Sequence, residues 1–166
     1  MSEIKTAQHW INKLNLIKHP TAGYYAEMYR SVVNVILPDT QIRSAHTAIY
    51  YLLSSDEIGH WRRLKSDETF HFYSGEDLLI HLINTKGELS LLRLGHSEIA
   101  TLQFTIPAGT WFALEVAKPQ AYSLVACCVT PGFDYADYEI LSKRFMLKTF
   151  PQHADILQRL GSDYAA

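Results

Sequence analysis

Apolar side chains at Ile4, Ala7, Trp10, Ile11 and Leu14 recur every three or four residues and line one face of a helix. This pattern predicts a helix over residues 3–14 with Ser2 as N-cap, and Lys5 stands where a capping box would carry Glu. His19 before Pro20 favours extended backbone and Gly23 permits a turn, so the helix ends before "KHPTAG". From Tyr24 the period shortens to two. Short β-branched and aromatic runs predict strands near 24–36, 46–53, 68–73, 78–83, 88–94, 100–106, 111–117 and 121–129, divided by turn segments such as "LPDTQ", "SGED", "NTKGE" and "IPAGT". Beyond "TPGFDYADYE" the spacing becomes helical again. "SKRFMLKTF" predicts a short helix or turn, and "QHADILQRL" a C-terminal helix stopped by Gly161.

Many short, evenly spaced strands imply an antiparallel sandwich or barrel. The runs "DLLIHLI" and "TAIYYLL" are apolar on both faces, so one face fills the core and the other needs a covering segment or a second copy of the chain. There is no internal repeat, low-complexity tract or linker, and the simplest organisation is one domain over residues 1–166.

Composition narrows the function classes. Hydrophobic residues make up 48% of the 166 and charged residues 19%, which describes a globular chain. Fifteen basic and 17 acidic residues leave a net charge of −2, so no field of one sign draws in nucleic acid or an anionic membrane. No run of eighteen apolar residues is present, and "MSEIKTAQHW" lacks the apolar centre of a secretion signal; a cytoplasmic location is the expectation. The two cysteines, Cys127 and Cys128, are neighbours that point to opposite faces of a strand, and they read as small buried groups in a reducing compartment. Without a second pair they build no structural zinc site.

The chemistry concentrates in "SDETFHFYSG". Glu68 precedes Gly75 by a six-residue spacer, and further on "IPAG" places Pro107 and Gly109 in a turn between strands. Glu-x6-Gly followed by Pro-x-Gly resembles the two cupin motifs. More closely, the chain resembles the cupin-5 family (domain of unknown function 985), through "HPTAGYYAEMYRS", "RSAHTAIYYLL", "HWRRLKSDETFHFYSG", "LQFTIPAGTWFA" and "LVACCVTPGFDYADYE". The resemblance implies an all-β, double-stranded β-helix of cupin jelly-roll type, with its barrel core over about 24–130, a helix at each end and a homodimeric assembly. It does not imply a settled activity.

The departures from the metal-binding cupin pattern shape the functional reading. His60 lies near the first histidine position, but Arg62 stands where a second would be and Phe112 where the second motif's histidine belongs. His60 and Glu68 alone fall short of the three protein ligands of a catalytic metal, so no metal and no cofactor are expected. By strand alternation Phe70 and Phe72 share the face of Glu68, whereas Thr69, His71 and Tyr73 share the other. A carboxylate among aromatics needs a cation, which Arg43, Arg62 or His60 could supply, and a His60–Glu68 pair would serve as a proton-transfer device or as a structural ion pair. The residues expected to contact a ligand are Arg43, Tyr50, Phe70, His71, Gln103, Trp111 and Phe112. Of the pairs Trp111–Phe112 and Tyr50–Tyr51, one member each should line the cavity; an inward tyrosine would be the acid. His9, His46, His81, His96 and His153 read as surface or turn residues.

These residues favour a cupin that binds a small molecule, with metal-independent epimerisation or isomerisation of a sugar-like or other polar carbonyl compound as the chemistry. The alternatives are a non-catalytic ligand sensor and, disfavoured by Phe112, a metal-dependent enzyme.

Overall fold

A computed structural model of the chain describes residues 5–163. Helix α1 (Ala7–Lys13) is capped by Thr6, whose hydroxyl accepts the His9 N–H at 3.2 Å. The expected Ser2 cap and Ile4 lie outside the described residues. Strands follow as β1 (Ile17–Lys18), β2 (Tyr24–Arg30), β3 (Asn34–Ile36), β4 (Ile42–Ser44), β5 (Thr47–Ser54), β6 (Gly59–Leu64), β7 (Asp67–Gly75), β8 (Leu78–Ile83), β9 (Leu89–Leu94), β10 (Gln103–Ile106), β11 (Trp111–Val116), β12 (Tyr122–Thr130) and β13 (Tyr138–Ile140). Helices α2 (Lys143–Thr149) and α3 (Ala154–Leu160) close the described chain.

The strands form two antiparallel sheets stacked face to face. One has the order β1-β2-β5-β12-β7-β10, the other β13-β6-β11-β8-β9, and β3-β4 is a separate hairpin. The strand spacing implies an antiparallel sandwich or barrel, and this is the jelly-roll arrangement that the family resemblance implies, with helices at both ends; hydrogen bonding does not close the two sheets into one barrel among the described residues. The core between them takes alternate residues of each strand: Leu53, Phe70, Phe72, Leu78, Ile80, Phe112, Leu114 and Val125 are all buried there.

The second apolar face of the doubly hydrophobic strands is covered within the chain. Ile83, Trp61, Trp111 and Ala113 pack against Met146, Leu157 and Leu160 of α2 and α3. Leu52 and Leu124 pack against Trp10, Ile11 and Leu14 at the other end. The outer faces of "DLLIHLI" and "TAIYYLL" therefore need no second copy.

Three local differences from the sequence reading position the site. The run 24–36 is two strands, because the chain leaves the sheet after Arg30 and enters the hairpin. The segment 54–67, where the pattern predicts no strand, contains β6. The end of "TPGFDYADYE", placed before the helical region, enters β13 on the edge of the same sheet. The Glu-x6-Gly spacing has a plain structural cause: Gly75 has φ +100°, and a Cβ there would lie 2.1 Å from the Tyr122 carbonyl oxygen.

Candidate functional site

Strand β7 obeys its alternation. Glu68, Phe70 and Phe72 are buried toward the second sheet, while His71 and Tyr73 face outward. Glu68 pairs with Val129 on one side and Ile106 on the other, which sets its carboxyl in mid-sheet rather than at an edge.

Strand β6 does not obey its alternation. Phe112 pairs with Arg62 and Leu114 with Gly59, so three steps along β6 match two along β11. This bulge puts His60 and Trp61 both on the outer face. The His60 Nδ1 lies 3.0 Å from the Leu160 carbonyl oxygen, and Trp61 is buried beneath the C-terminal helices. Arg62 is thereby turned inward and is 8% exposed. The expected His60–Glu68 pair is not formed: the bulge places the two side chains on opposite faces of the β6 sheet.

Between the sheets lies a cavity of about 340 Å³. Glu68, Arg62, Tyr51 and Cys127 line it from the strands, His19 from the turn before β2, Phe133 and Tyr135 from the segment leading into β13, and Tyr138 from β13 itself. Tyr138 pairs with Leu64, another lining residue, and so shares its inward direction. The mouth carries Glu27 and Arg30, joined by two hydrogen bonds of 2.9 and 2.8 Å, and the exposed Asp134.

The electrostatics follow from burial around one fixed cation. Desolvation pushes the Glu68 carboxyl up to about 7, although Arg62 and a hydrogen bond with the Cys127 thiol pull it back. Burial likewise raises Cys127 well above the usual thiol range and Tyr51 above the usual phenol range. Both therefore remain protonated at neutral pH, and the Tyr51 hydroxyl donates to the Ala22 carbonyl at 3.1 Å. His19 is pushed down to about 4 by burial, then by Arg62 and Lys18. Its Nδ1 accepts the Thr21 N–H at 3.2 Å, which leaves the ring proton of the neutral imidazole on Nε2. The Tyr138 hydroxyl is buried and has no hydrogen-bond partner among the described residues.

The other expected contact residues are distributed differently. Arg43 forms a buried ion pair with Asp137 (2.6 and 2.9 Å), which ties β4 to the segment roofing the cavity. Tyr50 faces outward against Tyr73, leaving Tyr51 as the inward member of the pair. Phe70 belongs to the core, where its ring meets Phe112 edge-on. His71 lies on the outer face of β7, paired with Gln103, which is exposed. Of the neighbours Trp111 and Phe112, Trp111 packs under the helices and Phe112 lies inside beneath Arg62. His81, read as a surface residue, is buried, with its Nε2 2.8 Å from Glu115 Oε1.

A cupin metal set does not fit these positions. Arg62 and Phe112 offer no lone pair for a metal, His60 faces away, and among the described residues no group of three or more His, Cys, Asp or Glu side chains could hold a metal ion. Nor is any helix among the described residues long and apolar enough to cross a membrane.

Comparison with known proteins places this geometry. The family model described as "Cupin superfamily (DUF985)" matches residues 8–141. An uncharacterised protein of Saccharomyces cerevisiae is 28% identical over 159 residues, covering 85% of this chain and 78% of its own. A hypothetical protein from Leishmania major has a solved structure with a TM-score of 0.88 and 33% identity, covering 95% of this chain and 99% of that one. A protein from Shewanella oneidensis likewise gives a TM-score of 0.88 at 33% identity, covering 97% and 100%. Oxalate decarboxylase from Bacillus subtilis shares the fold alone, with a TM-score of 0.56 at 13% identity over 89% of this chain and 37% of that one.

Proposed function

The chain belongs to the DUF985 family of the cupin superfamily, and from that premise we propose that it binds a small polar carbonyl compound between its sheets and transfers a proton on it, with Glu68 as the proton carrier. The observation that carries this reading is Glu68 itself: a carboxyl held near neutrality by burial, in a cavity large enough for a small molecule. Both protonation states are populated at pH 7, the condition in which one group can take a proton and return it.

In the proposed step Glu68 accepts a proton from the carbon beside the carbonyl. The C–H electrons move into an enolate, whose oxygen is held by Arg62 and by the Tyr138 hydroxyl. Glu68 then delivers the proton to the adjacent carbon in an isomerisation of a 2-hydroxy carbonyl compound, the hydroxyl proton moving to the first carbonyl oxygen as the new carbonyl forms, or to the same carbon once the enolate has turned its other face, in an epimerisation. Neutral His19 is a further hydrogen-bond donor at the cavity wall. Metal is left out of the scheme because of the donor set at Arg62, Phe112 and His60.

The test is solvent-deuterium wash-in at the carbons flanking the carbonyl, followed by proton NMR over a panel of aldoses, ketoses and oxo acids. Exchange is expected with the native chain and with His60→Ala, and is expected to disappear in Glu68→Gln. Ligand binding without exchange across the panel would favour a non-catalytic binding protein using the same cavity.

A further inference from the structure

We infer that the ligand of this cavity carries a carboxylate, held by Arg62 and bound together with a proton at Glu68. The inference rests on the cavity being the ligand site, as proposed above, and adds the charge and anchoring group of the ligand.

Arg62 is a permanent cation that the protein leaves without an ion-pair partner among the described residues. Its side chain is 8% exposed. Its guanidinium has one hydrogen bond, a long one of 3.4 Å to the His60 carbonyl, and its carbon lies 4.6 Å from the centroid of the Phe112 ring. Five N–H donors in a planar fork therefore have one weak acceptor. A buried guanidinium is ordinarily paired with a carboxylate, as Arg43 is with Asp137 in this same molecule. Glu68 influences Arg62 through space but forms no direct ion pair with it.

The field of Arg62 reaches across the cavity, where it acts against burial at Glu68, Tyr51 and Cys127. It lowers the proton affinity of His19, Tyr51, Glu68 and Cys127, which approach it from the turn before β2 and from β5, β7 and β12. The remaining charges do not cancel it: Glu27 is matched by Arg30, and Asp134 is exposed at the mouth, where water screens it. A planar, bidentate acceptor of one negative charge completes the fork, and a carboxylate is that shape. The buried, unpartnered Tyr138 hydroxyl supplies one more donor.

The ligand's charge then acts on Glu68. Two carboxylates in one desolvated site disfavour each other's ionised form, so Glu68 shifts toward its protonated, donating form as the anion enters and takes a proton from carbon only in the ionised fraction that remains. Binding should weaken as pH rises above about 7.

The experiment is calorimetric titration of the native chain with 4-oxopentanoate, pyruvate and D-galacturonate, against methyl 4-oxopentanoate, methyl pyruvate and D-galactose, at pH 6, 7, 8 and 9. At least one acid is expected to bind at least tenfold more tightly than its neutral counterpart, with affinity falling toward tenfold per pH unit above pH 7. Glu68→Gln should keep the preference and lose the pH dependence; Arg62→Met should lose the preference. Should Arg62→Met not fold, the Arg62 Nε–Hε resonance of the native chain gives the same answer, since an acid but not its ester should shift it. Equal affinity for acids and neutral partners, no binding of any acid at 100 mM, or binding that leaves the Arg62 resonance unmoved would overturn the inference. Exchange on neutral sugars with no preference for acids would overturn it while leaving the proton-transfer reading intact; tight acid binding without exchange would do the reverse.

Discussion

Arg62 and Phe112 face each other directly across the β6–β11 ladder, and the guanidinium carbon stands 4.6 Å from the centre of the phenyl ring. Gly59, on the far side of the bulge, completes the seat: a Cβ there would lie 2.8 Å from Arg62 Nη1. An aromatic face below and a missing side chain beside it hold the cation in the cavity without neutralising it. Arg62→Met at pH 6 is therefore expected to melt within about 3 °C of the native chain, because the lost cation–π contact is offset by the removed desolvation of the charge. In the same variant the Glu68 carboxyl should titrate at higher pH than in the native chain, since its one lowering charge is gone. Differential scanning calorimetry and carbon-13 NMR check the two halves.

Glu68 should cost the fold stability above neutrality. Its folded pKa, about 7, is raised above the ordinary 4.5, so between these values the folded state holds a proton that the unfolded state has lost. Stability from this group falls as pH rises from 4.5 to 7 and then levels off. Glu68→Gln is expected to match the native chain near pH 4.5 and to exceed it by about 3 kcal/mol at pH 8. Urea unfolding at the two pH values measures the difference.

Acid should loosen the C-terminal helices. His81 bridges to Glu115 at 2.8 Å, and Arg159 of α3 reaches the same carboxylate at 2.5 and 2.8 Å. Burial holds the His81 pKa below 6.5, and Arg159 leads the groups that hold Glu115 below 4.5. Both contribute stability above their unfolded pKa values and lose it as pH falls: His81 first, below 6.5, then Glu115, below 4.5. His81→Gln is expected to flatten the decline between pH 6.5 and 5, as read by proteolysis of the helical tail.

The strand faces that suggested a dimer are covered by the chain's own helices, but the β3–β4 hairpin is not covered. Val32 is 94% exposed and Ile36 75%, with Val33 and Ile42 beside them. Four apolar side chains on one small arm favour burial against a second copy. Sedimentation velocity at micromolar concentration is expected to give a dimer that Val32→Asp with Ile36→Asp converts to monomer. A native chain that sediments as a clean monomer would refute this.

The fold was legible because its signals are periodic. Alternation in "ETFHFY" placed Glu68, Phe70 and Phe72 on one face, and the turn residues divided most of the strands. The site was legible only in part. Arg62 was visible as a departure from the metal-ligand pattern, but a bulge shifts the parity of a strand and "GHWRRL" carries no mark of one. His60 therefore looks inward from the sequence, and nothing there marks Trp61 as packed under the C-terminal helices. Tyr138 stands 70 residues after Glu68 and His19 stands 49 before it, and no local pattern encodes their approach to the cavity. In the sequence Cys127 is only a small buried group; its contact with Glu68 depends on sheet order, in which β12 lies beside β7.

The most direct measurement is a carbon-13 NMR titration of the Glu68 carboxyl in the native chain, assigned by its loss in Glu68→Gln. A midpoint close to 7, moving upward when a carboxylate ligand is added, is the expected result. A midpoint in the ordinary carboxylate range, unmoved by ligand, would contradict both the proton-carrier role of Glu68 and its coupling to Arg62.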